Sequence, residues 1–565
     1  MGQKRLFFAP MDSLEIGYRS LGHDLDSIDA SFIGQLNLRP AAGFGQLYER
    51  NLVNNIFADP SGLAYRISEK RVKPKFTGLP YLGFQYAFGT ALNQALNVEY
   101  HQFFKPNTHL HLRYNRRTSN GVIRNSDFKL NDVSLRFYHQ KKRYATHLSG
   151  YYAAYDIAQN SGLTSDSLIE TFEPFFIPVM RTDARSKVRK LDLQWDNYFR
   201  LIGDSVTGYG LKTRHEYSLT GRKFVEQLAD LSFVDSFYID TNGTTRDQYQ
   251  TARFSNGAGM YFSSKHFEID GSINYSYWRN QNLGRNNDTN EVFLQSNLSA
   301  SLGERLDVRN QFYFNFIGAI GEIKNRAKLT FRPFQKVKIK GQLNFENVYP
   351  DPYQRFHVSN YNKWKIQELE MQQKLQLAGA IKYGDTNSIQ AKVGFTSIKN
   401  GRYFIGNEWR QDTLDFVTVG SLNLRGELHL GQWTFYPTVT MRINSDNFNY
   451  QPAFSTLNRI SFSTKLFKAQ KLGLALGVDL GYETGYQFMK YNGVLGLLEP
   501  TQTTQQTSSL YRVNAFMALA ITQFRFFVKG ENISYFLNDQ TTSIDVGYPI
   551  MPFLLRVGIT WDFFN

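Results

Sequence analysis

His101, His109, His111, His139 and His147, five of the ten histidines in the chain, stand close together. His109 and His111 are two positions apart, so on a strand they project to the same face. A third ligand from a neighbouring strand would then complete a site for zinc or copper. Imidazoles facing a polar channel account for the same spacing without an ion, and on that reading no metal and no cofactor are expected. Asp183, Asp235 and Asp240 lie in turn-rich stretches where the rim of a membrane-barrel hydrolase could assemble, yet no motif ties them to a histidine. No glycine-rich run leads into Lys-Ser or Lys-Thr, so a phosphate-cradling loop is absent. The lack of cysteine removes thiolate nucleophiles, thiolate metal sites and disulfides. An enzyme is not expected.

Charge is the second source of chemistry. The chain carries a net +15, which suits nucleic acid, an anionic membrane surface or a basic channel wall. The densest basic run is Lys324, Arg326, Lys328, Arg332, Lys336, Lys338 and Lys340, placed on the polar face of two adjoining strands. Facing a lumen, with Arg113 from an earlier strand, these cations would concentrate phosphate- or carboxylate-bearing solutes. Facing outward they would meet lipopolysaccharide phosphates, and Glu322 and Asp307 are near enough in sequence to neutralise some of them. Because the cations alternate with apolar side chains and form no aromatic-interleaved patch, nucleic acid is not an expected partner.

The elements that must position these residues are strands. In the segment 109–115, Leu110, Leu112 and Tyr114 share one face, and His109, His111, Arg113 and Asn115 share the other. Leu306, Val308, Phe312, Phe314 and Phe316 lie opposite Asp307, Arg309, Gln311, Tyr313 and Asn315. Around Pro333 the apolar set Ile323, Ala327, Leu329, Phe331, Val337, Ile339, Leu343 and Phe345 lies opposite the basic ladder. Segments of about ten residues with this alternation, repeated from Leu79 onward, are the signature of a membrane β-barrel.

Composition agrees. Aromatic residues make up 15% of the 565, proline is scarce at 16, and mean hydropathy is -0.42. A barrel crosses a bilayer with only half its strand residues apolar, whereas a spanning helix needs about 18 or more in a row, and no such run exists. Soluble domains would be separated by linkers at this length, and none is visible. No repeat of fixed period suggests a propeller or solenoid.

Connections alternate between short turns and longer stretches, as in bacterial barrels with tight periplasmic turns and long external loops. Turns are expected near Lys105-Pro106-Asn107, Lys141-Lys142, Gly203-Asp204, Ser263-Ser264, Gly303-Glu304, Pro333, Gly431, Lys468 and Ile521. Loops are expected over 120–128, 157–186, 222–248, 279–290, 444–452, 483–509 and 531–552. An even strand number is required if both termini lie on the periplasmic side. Reading Tyr349 to Ile366 as an external loop gives about 22 strands, and reading Arg402 to Trp409 as a further strand gives about 24. The fold class expected is all-β, a transmembrane antiparallel up-and-down barrel of about 22 strands.

The last strand turns Leu555, Val557, Ile559, Trp561 and Phe563 outward. Trp561, Phe563 and Phe564 resemble the aromatic signal read by barrel-assembly machinery, displaced by one residue through Asn565. Residues 1–78 do not alternate and are read as an extension, periplasmic or folded into the lumen, with 79–565 as the barrel. No TonB-type box is apparent there. The first residues hold no long apolar stretch, so the numbering is read as that of a mature chain with an initiator methionine restored.

The segments Leu79 to Tyr86, Leu96 to Gln102 and Leu112 to Arg117 resemble the opening strands of the Bacteroidota putative-porin family. Later pieces, Lys465 to Lys468, Gly477 to Thr484 and Phe527 to Asn532, resemble its C-terminal half, and TonB-dependent receptor barrels share a similar ending. The resemblance implies a barrel in the bacterial outer membrane, a porin by analogy only. The function expected is passive diffusion of small solutes with a preference for anions. The alternative is a non-conducting subunit or scaffold of a larger secretion, assembly or uptake complex. Expected partners are outer-membrane lipid and lipopolysaccharide, the barrel-assembly machinery during biogenesis, and further copies or complex partners.

Overall fold

In the computed structural model the described residues are 80–105, 107–204, 207–227, 245–282, 285–360, 362–366, 368–406, 408–412, 416–445, 450, 452–501, 506–536, 543–550 and 552–564, with the pairs 12–13 and 75–76. The expectation that 1–78 is a plug or a periplasmic extension falls outside them.

Twenty-two antiparallel strands close into one barrel. In chain order they are β1 (Tyr81–Gly89), β2 (Asn93–Lys105), β3 (Thr108–Ser119), β4 (Phe128–Gln140), β5 (Tyr144–Ala158), β6 (Arg185–Gly203), β7 (Gly208–Glu226) and β8 (Thr245–Ser263). Then follow β9 (Phe267–Asn282), β10 (Arg285–Leu302), β11 (Leu306–Ile317), β12 (Ile323–Phe334), β13 (Val337–Val348), β14 (Gln372–Tyr383) and β15 (Ser388–Lys399). The last seven are β16 (Val417–Leu430), β17 (Trp433–Asn444), β18 (Phe454–Leu466), β19 (Leu472–Glu483), β20 (Leu510–Ile521), β21 (Phe524–Glu531) and β22 (Leu554–Phe564).

The ring closes where β22 pairs antiparallel with β1, Trp561 opposite Phe84 and Gly558 opposite Ala87. Closure removes the two sheet edges that would otherwise leave backbone donors and acceptors bare in hydrocarbon. On β22 the alternation reads directly: Leu555 and Trp561 are exposed outward, while Arg556 and Thr560 are buried on the other face. The Tyr81 hydroxyl donates to Asp562 at 2.7 Å, tying the first strand to the last.

Tight turns gather at the end that holds Tyr81 and Phe564. Some of them need a left-handed residue, as at Gly384, where φ is +92° and an added Cβ would run into the Asn387 carbonyl oxygen. The opposite end carries the long connections, which sets it as the extracellular side. There β6, β7 and β8 run on: each has 19 residues, against the roughly 9–11 needed to cross the membrane. Their surplus stands above the bilayer as a wall for the loops.

Several expectations change in detail. The segment 279–290 is not a long loop, because β9 and β10 pair through Asn282 opposite Arg285. The loop after β13 runs to Met371, beyond Ile366, and contains the hairpin Phe356–Val358 with Lys363–Lys365. Arg402 and Trp409 belong to a second loop hairpin, Gly401–Ile405 with Glu408–Asp412, outside the barrel ring. It reads as strand locally, yet its edges pair only with each other, so it adds nothing to the count of 22. Pro333 lies inside β12 at a register irregularity, and the reversal follows it at Gln335-Lys336.

Candidate solute path and loop cap

The ladder residues take two kinds of position. Lys324, Arg326, Lys328 and Arg332 share one face of β12, opposite Ile323, Leu329 and Phe331. Lys338 and Lys340 share the matching face of β13, but Lys336 sits in the turn between the strands, a correction to its expected strand position. Register brings further cations to that face that the local run did not announce. Lys338 lies opposite Lys382 of β14, Glu346 lies between Lys324 and Lys374, and Gln390 of β15 faces Arg425 of β16. Lys392 of β15 is on the same face, opposite Ala380.

On β12 to β16 the carboxylates of this face are Glu346 and Glu427 among the described residues. Glu322, just before β12, lies 3.8 Å from Lys324, whose ammonium also sits 5.0 Å over the Tyr313 ring. Asp307 is taken up by Arg309 of its own strand at 3.0 Å. Arg326, Lys328, Lys340, Lys392 and Arg425 are all exposed.

The polar face near the seam is built differently. Arg459 donates to Asp479 at 2.6 Å, and Arg556 donates to Glu531 at 3.1 Å with both side chains buried. Lys529 lies between these carboxylates, 3.7 Å from Asp479 and 3.6 Å from Glu531. Farther round the ring, on β6, β7 and β9, Arg214 pairs with Asp196 at 2.7 Å, and Lys212 with Asp270. Arg113 is hydrogen-bonded to Asn97 at 3.1 Å, on the β2–β3 wall and away from the ladder. Here, too, a buried apolar band of Ala87, Ala95, Phe128, Leu130, Phe516 and Phe527 occupies the face that simple alternation assigns to polar groups. One side of the interior is therefore packed and charge-compensated, and the β12–β16 side is exposed and basic.

The expected assembly residues lie at the seam. Trp561 stacks on Phe563 with centroids 4.5 Å apart and meets Phe524 edge-on at 5.6 Å. Phe564 is registered opposite Tyr81.

Over the extracellular end the loops form a core of their own. Ile123, Leu163, Ile177, Tyr450, Met489, Tyr491, Tyr548 and Ile550 come from five different connections and are mutually buried. A second cluster joins Tyr353, Trp364, Phe404, Trp409 and Leu495 to Tyr249 at the raised end of β8. Loops are ordinarily polar and exposed, so apolar side chains meeting in this way close the loops onto one another. His357, fully buried in the loop after β13, bonds Asp247 of β8 at 2.9 Å, and Arg222 of β7 lies 3.5 Å from the same carboxylate. These contacts are not legible in the sequence, since nothing local links His357 to Asp247, 110 positions away. In the cap, burial pushes the Glu499 carboxyl above its usual value, with the Asn492 hydrogen bond and Lys490 opposing. Burial likewise raises Asp166, with Ser543 opposing.

No curated protein matches the sequence. Solved structures match the fold. The FrpB iron transporter from Neisseria meningitidis superposes with a TM-score of 0.59 at 8% identity, covering 86% of this chain and 83% of that one. The siderophore receptor PirA from Acinetobacter baumannii gives 0.58 at 10% identity, over 87% and 81%. The ferric-catecholate import receptor Fiu from E. coli K12, in its closed form, gives 0.57 at 10%, over 87% and 83%. At such identities the likeness speaks for the barrel alone. The sequence profile of the family described as "putative porin" matches residues 64–565, so this outer-membrane β-barrel belongs to that family.

Proposed function

We propose that the protein is an outer-membrane channel for passive diffusion of small solutes, with a preference for anions. The observation that carries this reading is the basic face of β12 to β16, where exposed lysines and arginines far outnumber Glu346 and Glu427. A low-dielectric wall with one sign of charge focuses its field into the adjacent water and enriches counter-ions there. Solutes bearing phosphate or carboxylate would pass along that side, while the compensated seam side gives no comparable pull. The loop cap acts in this reading as an outer door. The role is transport and not catalysis, in keeping with the family and with receptor and transporter barrels as structural neighbours. Lipid and lipopolysaccharide surround the apolar outer face, and the barrel-assembly machinery is the partner during insertion.

The packed loops favour one second reading, a non-conducting barrel that serves as a subunit of a larger outer-membrane complex. Planar-bilayer recording of the purified protein separates the two. A steady current with anion preference supports the channel. Absence of current, together with partners that stay bound through purification, rejects it in favour of the subunit.

A further inference from the structure

Beside the seam, at the turn end of the barrel, β2 and β3 bring three histidines and a glutamate onto one face. His101 lies directly opposite His111, and Glu99 is two residues along β2 on the same face. The His101 and His111 rings stack at 3.9 Å, and His109 follows at 5.9 Å from His101. All three imidazoles are at most 1% exposed.

We propose that Glu99, His101 and His111 bind a divalent transition-metal ion of the zinc type, which staples β2 to β3, with β1 alone between that pair and the closing strand β22. Two imidazoles and a carboxylate are an established donor set for such ions, leaving a fourth position open. Their ligand atoms all lie within 4.8 Å of one another. His111 Nε2 stands 3.4 Å from Glu99 Oε1, the separation of two ligand atoms each held ~2.1 Å from a tetrahedral ion.

The second observation is the state of the ring nitrogens. His101 Nε2 is bonded to Glu99 at 2.8 Å. His101 Nδ1 and His109 Nε2 are buried without a hydrogen-bond partner, and His111 Nε2 meets Glu99 Oε1 at 3.4 Å, long for a hydrogen bond. Histidines kept only as polar lining would reach water or a neighbour, since buried polar groups are almost always satisfied. An ion takes up His111 Nε2 and replaces the His101–Glu99 hydrogen bond: His101 binds through Nε2 as the neutral tautomer with its one ring proton on Nδ1, and any further proton held by the His101–Glu99 pair leaves to solvent. His109 stands beside the open position. This site is independent of the channel reading, because it needs no conduction.

The test uses full-length, untagged protein in detergent, stripped with a chelator and titrated with Zn2+ against a chromophoric competitor. One ion per chain is expected. His101→Gln and His111→Gln should each weaken it at least about tenfold, and Glu99→Gln should also weaken it. His429→Gln, whose partner Glu427 lies on a distant strand, should leave it unchanged. Heat-modifiable migration checks that each variant is folded. If the histidine variants fail to fold, Co2+ added to the stripped native protein decides, through the absorption of a tetrahedral nitrogen-ligated site. No stoichiometric Zn2+, no such Co2+ spectrum, or a His101→Gln/His111→Gln protein that binds within about twofold of the parent overturns the proposal.

Discussion

Arg222 Nη2 on β7 donates to the carbonyl oxygen of Gly493, 3.0 Å away and 271 positions along the chain. Gly493 lies at the tip of the loop between β19 and β20. An added Cβ there would crowd Ser161 and Gln159 of another loop. The bond pins this tip to the raised wall, where Val494 packs with Ala184 and Phe224.

Arg222→Ala should therefore loosen the cap. It removes a buried charged donor and leaves Asp247 with His357 as its remaining basic contact, a change of about 2–4 kcal/mol in local stability. Limited proteolysis should cut the 483–510 loop faster than in the parent, and bilayer recordings should show a larger open fraction. Unchanged cleavage would remove the pin from the account of the cap.

Acidification acts on the cap through Glu499. Burial raises the carboxyl in the folded loop above its value in the free chain, so the folded loop binds the proton more tightly. The sign follows from linkage: this group disfavours packing above its folded pKa, and the penalty fades as pH falls through the interval between the raised and ordinary values. Loop protection against protease should increase from pH 7 towards pH 5. Glu499→Gln should raise protection at pH 7 and flatten that part of the profile.

Charge on the β12–β16 face sets the predicted selectivity. Changing Arg326, Lys328 and Lys340 together to glutamine should move the reversal potential in a salt gradient towards zero. The shift should shrink at high salt as screening shortens to about 3 Å at 1 M. Lys336, in the turn, should contribute least when changed alone. An unmoved potential in the triple variant would take this face off the path.

The seam aromatics predict an assembly defect. Trp561→Ala with Phe563→Ala breaks the 4.5 Å stack and the edge contact with Phe524. Folded protein recovered from the outer membrane should drop several-fold, read by heat-modifiable migration, while expression of the unfolded chain is unaffected.

Packing at Gly477 gives a stability test. An added Cβ would strike the ring of Phe516 on the neighbouring strand, and that ring is buried beneath the Arg459 guanidinium at 5.2 Å. Gly477→Ala should destabilise the barrel by about 1–3 kcal/mol in urea unfolding.

The sequence by itself determined the barrel. Alternation at residues such as 109–115 and 555–563 is a local, period-two property, and the need for both ends on one side makes the strand number even. Closure by an aromatic last strand and the basic run on β12 and β13 were legible for the same reason. Tertiary structure alone decided what the strands bring together. Register is a long-range property, so only the folded sheet sets Lys382 beside Lys338, puts His101 opposite His111 and leaves Lys336 in a turn. The cap was hidden because its apolar residues are scattered singly through loops with no period. They become a core only when the closed barrel brings those loops together, one cluster against Ile398, Val417 and Leu554 at the ends of β15, β16 and β22 and the other against Tyr249 at the raised end of β8.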